Sequence, residues 1–401
     1  MFESAFLLDA ATFLLRWLHV VAAIAWIGES FYFVALDRGL QPPKDPQPGM
    51  AGESWSVHGG GFYHKQKYLP APAQLPDRLH WSMWKSYTTW LSGFALLSVS
   101  YFLRQGVDPL LAVALLAGTW IAYDQICKRF GANDRVLGVL VGVLALAVCL
   151  LATHWFRYQA GFVLAGAALA TVMSANVFFV IIPGQRRMVQ ALRNGQAPDP
   201  RDGARGKQRS VHNTYFTLPV VFAMLATHYP DAWTHAHRGW LLALFMLAAA
   251  LIRQFFVVWH SGERAWKLLA TGGAVLLLAL AWTAHPKFPA RSEAAAPSAA
   301  ATSTDAGETP QAGEAAPLSA DTASIHAILR ERCAACHSAT PSLLLEAPKG
   351  AAFDTPEQVE SQAVLIHQQT VVLRTMPPGN LTQMTDAERD AIARWFEPLK
   401  R

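Results

Sequence analysis

Charge is scarce in this chain. Only 15% of its 401 residues are Asp, Glu, Lys or Arg, against about 25% in soluble domains. That shortage excludes a protein made only of water-exposed domains. The net charge is only +5 and clusters in loops, so no basic face of the kind nucleic acid requires is present. Cysteine is scarce too, with four residues in all. Cys127 and Cys149 lie in or beside apolar segments and read as small buried hydrophobes, not as a disulfide or a metal pair. No HExxH or paired CxxC pattern occurs, and no internal repeat stands out. A cleavable leader is not expected. The first apolar stretch is long, has no basic flank before it and runs on into Asp37-Arg38, as an anchor does.

What the chain has instead is apolar length, with 52% hydrophobic residues. Windows near membrane-spanning length fall at about 12–36, 82–103, 109–126, 136–153, 160–182, 213–229, 237–259 and 266–284. Loops 37–81, 127–135 and 183–212 hold the Lys and Arg residues, whereas 104–108, 154–159 and 230–236 hold almost none. The positive-inside rule then places the N-terminus outside, and eight crossings return the C-terminus to the same side. The expected fold class is all-α: an eight-helix transmembrane bundle (1–285), a flexible Ala/Pro/Ser/Thr-rich linker (286–322) and a small C-terminal domain (323–401).

The C-terminal domain carries Cys333-Ala334-Ala335-Cys336-His337. In CxxCH the two thiols add to haem vinyl groups and the adjacent imidazole ligates iron. The motif points to one covalent haem c and to the bacterial periplasm, which agrees with the orientation argued from the loops. Ile325, Ile328 and Leu329 form an apolar stripe leading into the motif, and Thr385 to Glu388 is a capping box that opens a last helix with Trp395 and Phe396. The arrangement resembles a class I cytochrome c. Met376, followed by Pro377 and Pro378, is the expected second iron ligand, with Met384 as its rival. His326 and His367 read as solvent-facing.

Ionisable groups inside apolar windows are costly and mark functional positions. His19 and Glu29 lie in the first window, Asn176 in the fifth and Arg253 in the seventh. Glu29 and Arg253 fall at similar inner depth and are expected to pair, as a structural ion pair or in a substrate or proton role. His19 is a candidate proton relay or ligand. The run His58-Gly59-Gly60-Gly61-Phe62-Tyr63-His64 reads as a loop in which glycines let backbone N–H groups approach an anion. A b-type haem between helices would require two inward histidines at matched depth, which the sequence permits without establishing.

Long strings carry a family resemblance: RWLHVVAAIAWIGESFYFVALD (16–37), GESWSVHGGGFYHKQKY (52–68), YTTWLSGFALL (87–97), SANVFFVIIPGQRRMV (174–189) and VHNTYFTLPVVFAMLATHYP (211–230). Together they resemble the membrane-bound urate oxidases (urate hydroxylases of the PuuD type), an eight-helix membrane domain joined to a cytochrome c. The chain departs from that pattern at Lys85, where the family carries an acidic residue. The resemblance implies oxidation of urate, or a related purine, to 5-hydroxyisourate. Electrons would pass to the haem and on to a respiratory cytochrome c or terminal oxidase. A planar monoanion calls for aromatic faces, an Arg or backbone donors, and a general base. His19, Glu29, His58, His64, His212, Asn213 and Arg253 are the candidates, with Arg253 or the Gly59–Gly61 backbone on the anion, a histidine as base and Glu29 tuning it. The glycine run and His212 fall on the opposite side of a core ~30 Å thick from the haem, so a deep substrate site or an intermediate redox group is required. Two further readings are an electron-transfer component that docks a quinol or oxidase partner, and a transporter or sensor with a cytochrome tail. An anchor has no use for the glycine-rich run, which favours the enzyme.

Overall fold

The computed structural model describes residues 2–103, 106–156, 158–233, 235–284, 321–343, 347–372 and 374–399. The linker expected over 286–322 lies outside the described residues except at its last two positions. Two compact units divide the chain, one made mainly of residues up to Thr283 and one from Ala284 onward.

The first unit is mostly helical: α1 (Phe2–Arg38), α2 (Met83–Leu97), α3 (Pro109–Phe130), α4 (Asp134–Trp155), α5 (Tyr158–Ala175), α6 (Ile182–Arg193), α7 (Pro200–Leu225), the single turn α8 (Pro230–Trp233), α9 (Arg238–Trp259) and α10 (Trp266–Ala284). Side-chain caps start several of them. Asp108 accepts from Leu110 N at α3 and Asn133 from Arg135 N at α4, each satisfying an amide that a helix start leaves without a partner. α5 is the central helix. Phe162, Leu164, Ala168 and Val172 are fully buried around its circumference, as expected of a helix that is apolar on every side. α3, α4 and α7 pack around it, α9 lies on α4 and α7, and α1 lies on α2.

Six stretches among the described residues are long and apolar enough to cross a membrane: Ala10–Arg38, Pro109–Phe130, Asp134–Trp155, Gln159–Arg193, Arg238–Trp259 and Trp266–Thr283. The two other expected spans, 82–103 and 213–229, are largely helical but fall outside this set. α2 has 15 residues before it passes into a π-helical turn, Ser98–Leu103. α7 is polar over its first half and apolar only over its second. A second π turn, Asn176–Ile181, joins α5 to α6.

The unit is not all-α. β1 (Met50–His58) and β2 (Gly61–Tyr68) form an antiparallel hairpin in which Trp55 faces His64 and His58 faces Gly61. The glycine run is its tip. Gly59 and Gly60 take φ of +58° and +79°, the conformation a tight hairpin turn demands and L-residues resist. A Cβ at either glycine would meet no heavy atom within 4 Å, so substitution strains the backbone alone. Gly59→Ala or Gly60→Ala is expected to cost the hairpin about 1–2 kcal/mol. Amide hydrogen exchange over residues 50–68 would accelerate while that of α5 stays unchanged.

The second unit contains α11 (Thr322–Arg332), α12 (Pro356–Ser361), α13 (Ala363–His367) and α14 (Asp386–Phe396). The expected capping box starts α14, with Thr385 Oγ1 accepting from Glu388 N and Glu388 accepting from Thr385 N. Ile325, Leu329, Cys333, Phe353, Val359, Met384, Ile392 and Trp395 form its core.

Candidate functional site

Polar side chains from α3, α7 and the second π turn meet inside the helical unit. Arg209 is only 5% exposed and donates from Nη2 to Asp124 Oδ1 at 2.8 Å. Lys128 Nζ holds the other oxygen at 2.7 Å. Chemistry fixes the direction of the amide bonds that follow. A guanidinium can only donate, so the amide atom 3.3 Å from Arg209 Nη1 is Asn176 Oδ1. Asn176 Nδ2 must then donate, to Asn213 Oδ1 at 2.8 Å and Tyr123 Oη at 3.2 Å. Asn213 Nδ2 passes on to Met173 O at 3.0 Å. Tyr123 Oη, which accepts from Asn176, also lies 2.7 Å from His212 Nδ1, a pair in which either atom can be the donor. The guanidinium of Arg209 also lies over the Tyr123 and Trp120 rings, at 4.9 and 5.9 Å. Register explains the meeting: the π turn that begins at Asn176 swings that amide fully inside, a placement that π turns favour at functional positions.

Two candidates from the sequence, His212 and Asn213, belong to this cluster. The others lie elsewhere. His19 Nδ1 sits 2.9 Å from Thr89 O and 3.3 Å from Ser92 Oγ. A carbonyl only accepts, so Nδ1 carries the proton and Nε2 keeps a bare lone pair. Gly93 makes this possible, because a Cβ there would lie 2.6 Å from His19 Cε1. The expected Glu29–Arg253 pair does not form. Glu29 Oε1 instead accepts from Lys85 Nζ at 2.6 Å and Ser82 Oγ at 2.7 Å. α2 packs on α1 and brings its lysine to the carboxylate, which gives the unusual Lys85 a partner. Arg253 Nε and Nη2 are left without an acceptor among the described residues.

His58 and His64 are exposed on the hairpin, away from the buried cluster. His64 stacks on Trp55 with ring centroids 4.3 Å apart and reaches Glu53 Oε2 from Nε2 at 2.8 Å. That hydrogen bond, helped by Lys44 N–H, holds the Glu53 carboxyl below its ordinary value. The sign follows from linkage. A carboxyl more acidic in the folded state stabilises the hairpin above its unfolded pKa, and the contribution disappears as pH falls through the lower folded value. Glu53→Gln should therefore weaken amide protection of the hairpin at neutral pH and change nothing in strong acid. The glycine backbone, expected on an anion, forms the exposed turn instead. A cleft of about 280 Å³ lined by Tyr68, His80, Trp81, Gln185, Met188 and others contains no member of the buried cluster.

Asp124, Tyr123 and Arg209 were missing from the candidates. Asp124 carried the available signal, an acid near the end of an apolar window with Lys128 four residues on. Arg209 reads from the sequence only as one of the basic residues of loop 183–212.

In the second unit, His337 Nδ1 lies 2.8 Å from Ala351 O, which again puts the proton on Nδ1 and frees Nε2. The ring stacks on Phe353 at 5.0 Å. Cys333 and Cys336 are free thiols; burial pushes Cys333 up to about 12 and raises Cys336 as well. Met384 is 3% exposed and packs in the core, whereas Met376 is half-buried in a loop. Arg389, itself buried, donates to Thr370 O and, at 3.0 Å, to Met376 O. These residues fit a covalent haem: two unpaired thiols, an imidazole oriented through its far nitrogen, and a thioether not committed to packing. Among the described residues no group of three or more His, Cys, Asp or Glu side chains forms a metal cluster.

Six helical stretches long and apolar enough to cross a membrane, in a unit that holds a hydrogen-bonded polar cluster, are compatible with the class of helical membrane proteins. The chain belongs to the urate oxidase N-terminal family, whose pattern matches residues 5–284. Membership makes the protein a urate-related oxidoreductase, and the match encloses the whole buried cluster. No curated protein and no solved structure matches the chain.

Proposed function

We propose that this protein is a membrane-bound urate oxidase of the PuuD type. In this reading it converts urate to 5-hydroxyisourate in the helical unit and passes the electrons to a haem c in the C-terminal unit. The observation that carries the reading is a conjunction within one chain. A urate oxidase family unit is followed by a CxxCH whose His337 is held at Nδ1 by Ala351 O with Nε2 free, as a haem ligand must be. All eight apolar windows cross the membrane in this reading, with the N-terminus and the cytochrome domain in the bacterial periplasm.

The reaction takes urate and water to 5-hydroxyisourate, two protons and two electrons. When bound, the haem supplies a one-electron acceptor, held by Cys333, Cys336, His337 and Met376. The chain itself must hold the anion and move protons. The Tyr123–His212 pair is built for the second task. Tyr123 Oη can donate to Nδ1 or, after His212 takes a proton there, accept from it, because the hydroxyl has lone pairs to spare. Arg209 and Asn176 keep the hydroxyl in place through either state. A b-type haem would draw on His19 Nε2, which the bond of Nδ1 to Thr89 O leaves without a proton, and on a second histidine. A terminal oxidase or soluble cytochrome c is the expected final acceptor.

The test uses the full-length protein with urate and ferric cytochrome c. One 5-hydroxyisourate formed per two cytochromes reduced supports the reading. Hydrogen peroxide in place of cytochrome reduction contradicts it.

A further inference from the structure

Among the described residues of the helical unit, Arg253 is a buried arginine with two orphaned nitrogens. It is 3% exposed, yet Nε and Nη2 have no hydrogen-bond acceptor among the described residues. The other buried guanidiniums are matched, Arg209 by Asp124 and Asn176, and Arg389 by Thr370 O, Met376 O and Asn380 Oδ1. Removing a guanidinium from water with no counter-charge costs several kcal/mol. A fold that keeps such a group leaves its partner to come from outside the chain.

The two unmet atoms say what kind of partner. Nε–H and Nη2–H point the same way, along one edge of the planar fork. That edge grips two acceptors lying side by side in one plane. Arg253 sits on α9 where α1 and α7 meet it. Its guanidinium lies over the Phe31 ring at 3.7 Å, which fixes its plane and shields one face from solvent. Tyr215, beside it on α7, donates its hydroxyl to Gln254 Oε1, and Arg253 Nε and Nη2 make no hydrogen bond to it. The edge of the fork is thus oriented, desolvated and without an acceptor among the described residues.

We propose that Arg253 is the anion subsite for the substrate, taking a deprotonated ring nitrogen of urate and the carbonyl oxygen beside it through Nε and Nη2. The assignment rests on the urate reading and deepens it. It gives the anion to Arg253 and not to the glycines of the hairpin turn.

Substitution separates this role from a structural one, because the two predict opposite effects on stability. Arg253→Met and Arg253→Lys are made in the full-length protein. Urate binding is measured anaerobically by calorimetry, and Tm in detergent with and without urate. Loss of two charge-assisted hydrogen bonds should weaken urate binding by Arg253→Met roughly 100-fold. Its ligand-free Tm should equal or exceed that of the unsubstituted protein, since an unpaired buried charge has gone. Urate should raise Tm of the unsubstituted protein and leave that of Arg253→Met unmoved. Arg253→Lys keeps the charge but not the fork, so its affinity should fall in between and KM should rise more than kcat falls. Binding by Arg253→Met within twofold of the unsubstituted protein overturns the assignment and leaves the urate reading standing. Absence of urate binding by the unsubstituted protein overturns the urate reading itself.

Discussion

Asp124→Ala is expected to be among the most destabilising single substitutions in the helical unit, costing about 3–5 kcal/mol. The size follows from what is left behind. Arg209 stays buried with a full charge and only the distant contact to Asn176 Oδ1, 3.3 Å away. Lys128 reaches solvent, with 65% of its side chain exposed, and loses little. The damage should spread along the bonds that depend on Arg209: Asn176, then Tyr123 and Asn213, then His212. Thermal unfolding in detergent measures the cost. A double variant, Asp124→Leu with Arg209→Leu, should recover much of it, because replacing a buried pair by apolar groups is often neutral. A loss below about 1 kcal/mol for Asp124→Ala would place the pair with surface salt bridges and remove the cluster's claim to be a built site.

The second large effect concerns the C-terminal unit. Cys333→Ser with Cys336→Ser should abolish covalent haem, seen as loss of the haem mass from the denatured chain. Urate-dependent cytochrome reduction should fall by at least about 100-fold, since the one-electron acceptor of the account is gone. The unit should also lose order. Its core includes Cys333 itself, and so short a domain leans on a covalent group for stability. This variant also decides the b-type haem. A Soret band that persists without the two thiols locates a second haem elsewhere, with His19 Nε2 as its first ligand to test. Full activity with no covalent haem would mean that electrons leave the helical unit by another route.

How much of this was legible depended on how local each signal was. The capping box at Thr385 and Glu388 and the apolar stripe into Cys333 were readable because their partners lie within a turn or two of chain. Six of the eight apolar windows coincide with helices long enough to cross a membrane. The hairpin was missed although its mark was present. Two polar-apolar runs flank a Gly-Gly pair, the hairpin signature, but in a chain of helices the glycines read as a loop. The partners of buried charges were not legible at all. Matching depth suggested Arg253 for Glu29, yet helix packing brought Lys85 instead. Depth limits which residues can meet and does not choose between neighbouring helices. Arg209 was hidden for a similar reason, since its segment looked like a basic loop until α7 carried it inward to Asp124. The π turn at Asn176 leaves no trace in apolar periodicity.

The account turns on urate giving its electrons to the C-terminal unit. The most direct measurement is spectroscopic: urate is added without oxygen to the purified, fully oxidised full-length protein while the reduced α-band is recorded. The account predicts that the band grows to full height with half an equivalent of urate per haem c, and that Arg253→Met requires far higher urate to do so. An α-band that does not appear, in protein whose haem is covalently attached and reducible by dithionite, would contradict it.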